Sequence, residues 1–133
     1  WNAEVLPPLE NSRAWQVRDR IDTQLVAAAA KFFVGRHDFA SFAANRGAPV
    51  ADTVRILRTV SVRKSGPLLT FHFEGDGFLY KMVRLMVGAL IRIGLGQSAP
   101  NEIHSRLTDP KRSIPPARNV APASGLFLFR VRY

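Results

Sequence analysis

Arg84 is the side chain whose surroundings most need a chemical reason. It lies midway along Gly75–Gln97, GDGFLYKMVRLMVGALIRIGLGQ, where nearly every other residue from Phe78 to Ile93 is apolar. A helical step of about 100° per residue gathers most of Tyr80, Lys81, Arg84, Gly88 and Arg92 on one narrow stripe. A helix apolar around so much of its circumference is expected to be nearly enclosed by the rest of the domain. Burying a lone guanidinium is costly, so Arg84 is expected either at the rim of a groove or facing an anion. The plainer alternative is that Lys81, Arg84 and Arg92 form the solvated edge of a core helix. A membrane span is not expected: the run is shorter than about 18 to 20 residues and carries three charges.

The other titratable candidates are weaker. His37 and Asp38 are neighbours, but an aspartate there serves more simply to cap the turn that follows than to form a dyad. His72 and His104 read as surface residues. With no cysteine and three scattered histidines, no metal site and no disulfide framework is expected, and no cofactor is implied.

Charge points to a polyanion. The net charge is +9, and fifteen of the nineteen basic residues are arginine, whose planar fork suits phosphate oxygens and stacks on bases. Residues 1–76 carry ten basic and eight acidic side chains; residues 77–133 carry nine and two. Nucleic acid is therefore the first partner to consider, with a basic protein kept soluble by its charge as the bland alternative. Arg46, in Arg46-Gly47-Ala48-Pro49, and Lys111, Arg112 and Arg118, in a proline-rich loop, are the candidate contacts to an RNA backbone.

The elements that must position these residues follow from periodicity. At 133 residues and 47% hydrophobic, the chain is long enough for one domain with one core. Residues 1–16, with Pro7-Pro8, read as an extended segment leading into a single domain over 17–133. Asp19 is placed as the cap of a first helix over Arg20–Val34, with Gly35 as its stop. Thr53–Arg63 reads as a strand with Val54, Ile56, Val60 and Val62 inward and a bulge near Leu57 and Arg58. After a turn at Lys64–Pro67, Leu69, Phe71 and Phe73 alternate with Thr70, His72 and Glu74, a half-buried strand paired with the first. Asp76 is expected to cap the central helix. A short helix runs from Ser98 to Leu107, residues 109–125 form a surface loop, and Leu126–Tyr133 closes the chain as a strand. The result is an α+β fold, an antiparallel sheet with helices packed on one face. The N-terminus shows neither a signal peptide nor an initiator Met, so the sequence reads as an excerpt of a longer chain.

HDFASF, FEGDGFLYKMVRLMVGALIRIGLGQ and APASGLFLFRVRY resemble, in order and spacing, the C-terminal half of the tRNA pseudouridine synthase I (TruA) family, over about residue 20 to the end. That resemblance implies half of a pseudouridine synthase fold, and isomerisation of uridine to pseudouridine in the tRNA anticodon stem and loop. It also implies no metal or cofactor, a homodimer and a cytoplasmic location. It assigns Arg84 to pairing with the catalytic Asp and to placing it and the tRNA phosphate. Leu126 would line the pocket for the flipped uracil, with Phe78 and Lys81 near it. The family usually has His where Lys81 stands, Asn at Leu85 and Tyr at Phe127.

The family's nucleophilic Asp sits in an R-T-D-x-G-V-H type motif of its N-terminal half, which this sequence does not contain; Asp38 belongs to HDFASF and is not that residue. The chain alone is therefore expected to be inactive, one side of a cleft completed by a missing N-terminal half. A non-catalytic RNA-binding or dimerisation module with the same fold is the alternative.

Overall fold

The computed structural model describes residues 1–44, 52–109 and 120–131. The first helix, α1, spans Thr23–Ala30 and is shorter than the apolar spacing suggests. Its cap is Asp22, not Asp19: the Asp22 carboxylate accepts the N–H groups of Gln24 and Leu25 at 3.1 and 3.2 Å. The helix tightens into a 3-10 turn at Lys31–Phe33, because Gly35, at φ +111°, already belongs to a strand.

That strand, β1 (Gly35–Asp38), was not visible in the sequence pattern. It pairs antiparallel with β2 (Val54–Ser65), which in turn pairs antiparallel with β3 (Leu68–Gly75), giving a sheet of order β1-β2-β3. The β2–β3 turn places Gly66 at φ +57°, the positive angle that a tight hairpin needs at its first central residue. β3 alternates as expected, with Phe71 and Phe73 turned to the core and Thr70, His72 and Glu74 exposed.

The bulge in β2 is present between Leu57 and Thr59. Its inward set differs from the expected one, which keeps to even positions throughout: the bulge shifts the phase, so Leu57 is buried and Ile56 exposed before it, while Val60 is buried after it.

Asp38 does cap. Its carboxylate accepts the Ala40 N–H at 3.0 Å and the Thr53 hydroxyl at 2.6 Å, fixing a 3-10 turn at Ala40–Phe42. Phe39 and Phe42 are thereby driven into the core, where Phe42 meets Phe33 edge to face at 5.1 Å.

Two further helices, α2 (Met82–Gly94) and α3 (Asn101–Thr108), complete the domain. α2 buries Met82, Leu85, Met86, Leu90, Ile91 and Ile93 in the common core, packed against α1 and the Ala40–Phe42 turn. Gly94 lets the end of α2 pack closely against the start of α1 and the residues before it: a Cβ there would lie 2.6 Å from Ile21 and 2.7 Å from Val26, and its carbonyl accepts the Asp22 N–H at 2.8 Å. Ser98 does not cap the α3 backbone; its hydroxyl bonds the Glu102 carboxylate, and that carboxylate pairs with the buried Arg106 at 3.1 Å.

The fold class is α+β, as expected, with a three-stranded antiparallel sheet and three α-helices among the described residues. The closing strand is the exception. Residues 126–131 are extended at their start but form no ladder with any described residue, since a strand exists only with a partner beside it. Residues 1–17 fold back on themselves, with the Val17 N–H bonded to the Trp1 carbonyl at 2.9 Å and the Asn2 N–H to the Pro67 carbonyl at 2.8 Å.

Candidate functional site

The central helix begins later than the Asp76–Gly77 pair suggests. Asp76 does not cap it. The Asp76 carboxylate accepts the Ile56 N–H at 3.0 Å and its own N–H donates to the Ile56 carbonyl at 3.0 Å, so this residue serves β2. Gly75 is pressed against the same place: a Cβ would fall 2.5 Å from Leu57 and 2.7 Å from the Ile56 carbonyl oxygen. Residues 76–81 thus run off the sheet at its bulge before α2 starts.

Lys81 ends that run in the left-handed conformation, φ 60° and ψ 11°, with no side-chain cap for the helix. Its ammonium lies 5.5 Å from the centre of the Tyr80 ring, a cation–π contact. The Tyr80 carbonyl accepts the Ala44 N–H at 3.0 Å, which ties the run to the Phe39–Phe42 turn. Phe78 and Tyr80 are both more than two-fifths exposed, whereas Leu79 between them is buried. The alternation leaves two aromatic rings at the surface beside the start of α2.

Arg84 sits one turn into α2 on its half-buried side. Its Nε donates to the Ala121 carbonyl at 2.7 Å, and the Ala121 N–H donates to the Arg84 carbonyl at 3.1 Å. Among the described residues Arg84 has no ion pair, and none holds a buried side-chain nitrogen or oxygen without a partner. The two terminal guanidinium nitrogens therefore reach solvent. One edge of the fork is spent on fixing the backbone, and the other is presented outward, suited to a carboxylate or a phosphate.

Beyond Ala121 the chain makes a 3-10 turn at Ala123–Gly125, closed by the Leu126 N–H to the Ala123 carbonyl at 3.0 Å. Gly125 lies against residues 13–15, with the Trp15 N 3.5 Å from where a Cβ would stand. Leu126 follows, half exposed. The structure thus brings Arg84 together with the segment that carries Leu126, and places Phe78 and Lys81 at the foot of the same helix. Arg46, Lys111, Arg112 and Arg118 lie outside the described residues.

Sequence reasoning missed Ala121, Asp76 in its strand role and Tyr80. Ala121 acts through its backbone and has no side-chain signature to detect. Among the described residues no group of three or more His, Cys, Asp or Glu is placed to hold a metal, and no helix is long and apolar enough to cross a membrane.

Comparison with known proteins bears on the same segments. A protein called tRNA pseudouridine synthase A from Methylacidiphilum infernorum is 39% identical over 133 residues, covering 100% of this chain and 51% of the relative. One from Pelobacter propionicus is also 39% identical over 133 residues, covering 100% and 53%. One from Moorella thermoacetica is 42% identical over 120 residues, covering 90% and 48%. The chain spans about half the length of the curated relatives it matches. The family model for tRNA pseudouridine synthase matches residues 29–133, which include β1, the whole sheet, α2 with Arg84 and the closing segment; the chain belongs to the tRNA pseudouridine synthase family.

Proposed function

We propose that these residues form one wall of the catalytic cleft of a tRNA pseudouridine synthase, its C-terminal half, which isomerises uridine to pseudouridine in the anticodon stem and loop. The observation that carries this reading is Arg84, held by Ala121 on one edge and open to solvent on the other. A carboxylate supplied by the other half of the protein would meet that open edge. The pair then explains why an arginine interrupts an otherwise buried helix.

The reaction breaks the N1–C1′ glycosidic bond, turns the uracil and joins C5 to C1′; a proton leaves C5 and one is gained at N1. Nothing is oxidised or reduced, so the balance asks for no redox partner. A stacked uridine hides its glycosidic bond, so the base is first flipped out of the RNA. Leu126 gives an apolar wall for it, Phe78 offers ring surface, and Lys81 adds charge beside the phosphates. Arg46, Lys111, Arg112 and Arg118 would hold the tRNA backbone. The full-length protein would work in the cytoplasm as a homodimer.

The test is pseudouridine formation in a tRNA substrate by the full-length protein, by residues 1–133 alone, and by residues 1–133 with the other half added in trans. Activity is expected in the first and third and not in the second. Turnover by residues 1–133 alone would sink the borrowed carboxylate. A folded full-length protein that binds tRNA without turnover would make this a binding module instead.

A further inference from the structure

Between the end of β3 and the start of α2, residues 76–81 hold two aromatic rings at the surface with a cation at each end of the run. Phe78 is 44% exposed and Tyr80 43%, while Leu79 between them is buried and anchors the run to the core. The Leu79 carbonyl accepts the Met82 N–H and the Tyr80 carbonyl the Ala44 N–H, each at 3.0 Å, so the rings stand on a fixed backbone. At one end the Lys81 ammonium is 5.5 Å from the centre of the Tyr80 ring. At the other, Arg55 reaches from β2 and lies over Gly77, where a Cβ would stand 3.7 Å from its Nε and 3.9 Å from its Cδ.

Arg55 repeats the arrangement of Arg84. Its Nη1 donates to the Asp52 carbonyl at 3.1 Å and the Val54 carbonyl at 2.8 Å, which fixes the guanidinium. Among the described residues its side chain has no ion pair and no other hydrogen bond, and none of its nitrogens is buried without a partner, so Nε and Nη2 reach solvent. Asp76, the acid within the run, forms no ion pair with it; the Asp76 carboxylate accepts the Ile56 N–H at 3.0 Å instead. A guanidinium gripped on one edge and open on the other suits a phosphate.

Gly77 and Lys81 are at most about 14 Å apart along the chain, so one stretch of RNA strand can meet both cations with its phosphates while a base lies on the ring between them. Aromatic faces stack any base, and cations beside them follow the backbone; the combination favours unpaired nucleotides, whose faces are free. We infer that Arg55, Tyr80 and Lys81 form a subsite for an unpaired nucleotide next to the flipped uridine. Tyr80 stacks its base, and Arg55 and Lys81 hold the phosphates on either side. This rests on the reading of the domain as a cleft wall for RNA, and it adds which side chains distinguish a loop from a stem.

The experiment reads binding by the full-length protein, not turnover. Fluorescence anisotropy gives Kd for an anticodon stem-loop RNA and for versions with one abasic nucleotide placed at each loop position in turn. One such position beside the reacting uridine is expected to weaken wild-type binding about tenfold, the size of one stacked base. Tyr80→Leu is expected to bind the intact RNA about tenfold more weakly and to lose less than about twofold further at that position, whereas Tyr80→Phe behaves as wild type. Arg55→Gln and Lys81→Asn, the second chosen because asparagine tolerates a left-handed backbone, are each expected to flatten the log–log dependence of binding on salt by about 0.7. Losses from Tyr80→Leu and from the abasic nucleotide that multiply at every loop position would overturn the stacking, as would a Tyr80→Phe as weak as Tyr80→Leu. Salt slopes unchanged in both charge variants would overturn the phosphate contacts. The expected results in a protein that never isomerises uridine would refute the enzymatic reading and leave the subsite standing; multiplying losses in an active enzyme would do the reverse.

Discussion

Arg84 and Ala121 hold each other by two hydrogen bonds of opposite sense, a side-chain N–H to a carbonyl at 2.7 Å and a main-chain N–H to a carbonyl at 3.1 Å. Lysine retains the charge at this position but has neither the Nε–H nor the planar fork. Arg84→Lys and Arg84→Ala in the full-length protein are therefore both expected to be poor enzymes. On the proposed pairing with a carboxylate, removing Arg84 costs about 3–5 kcal/mol, or roughly 10²–10⁴-fold in rate. Single-turnover rates and filter binding check this: turnover is expected to fall by that amount while tRNA affinity changes less than about threefold. An equal loss in both would make Arg84 a plain RNA contact.

The close approach of α1 and α2 at Gly94 gives a prediction with an unusual sign. Glycine to alanine inside a helix ordinarily gains about 1 kcal/mol. Here the added methyl meets the stiff β-branched side chains of Ile21 and Val26 at 2.6 and 2.7 Å. Gly94→Ala is expected to lose about 1–3 kcal/mol by overpacking, read as a lower midpoint in urea unfolding.

Capping can be tested by comparing neighbours. Asp22→Ala removes the acceptor for two helical N–H groups and is expected to cost about 1 kcal/mol. The carbonyl of Asp19, not its side chain, is what Asn2 bonds at 2.6 Å, so Asp19→Ala is expected to stay within about 0.5 kcal/mol. Thermal melts of the two variants separate the assignments.

Much of the architecture follows from residue order because each element's own pattern decides it. Phe71 and Phe73 alternate cleanly, and the apolar faces of α2 leave no other place for it than the core. The failures share one cause, which is that a distant partner made the decision. Asp76 and Gly77 look like a helix start, but the Asp76 carboxylate is claimed by Ile56. β1 is Gly-Arg-His-Asp, with no apolar rhythm, and it is a strand only because β2 lies beside it. Residues 126–131 have the rhythm but no strand partner among the described residues. At the candidate site, Arg84 stood out by its cost on an apolar helix but drew its role only from the family resemblance, whereas the backbone that grips it had no signature at all.

Glu102 ties stability to pH. The Ser98 hydroxyl holds its carboxyl below the ordinary 4.5; burial opposes that, and the hydrogen bond and charge of Arg106, with the charge of Arg92, add to it. A group depressed in the folded state binds fewer protons there than in the unfolded chain. Its contribution is therefore full above about pH 4.5 and is lost as pH falls through the folded value. Unfolding midpoints are expected to drop over that acid range in the wild type and to drop less in Glu102→Gln. The variant itself is expected to be about 1–3 kcal/mol less stable at neutral pH, since it leaves the buried Arg106 without its carboxylate.

Neutralising Lys111, Arg112 and Arg118 together is expected to weaken tRNA binding and to flatten its dependence on salt by about two to three units of log–log slope. Binding titrations at several ionic strengths read the slope directly. A slope that does not move would remove these three residues from the RNA interface.

The bulge in β2 has a further consequence, for changes in chain length. Leu57 and Val60 are both buried although three positions apart, which an even strand would turn to opposite faces; the extra residue at Arg58 reconciles them. Arg58 itself is exposed and bonds Glu74 at 3.3 Å, a surface pair that replacement by almost any polar residue would scarcely disturb. Deleting it is another matter, because either Leu57 with the Gly75–Asp76 grip or Val60 with the rest of the hairpin would have to face water. The strand is thus indifferent to what residue 58 is and intolerant of its absence.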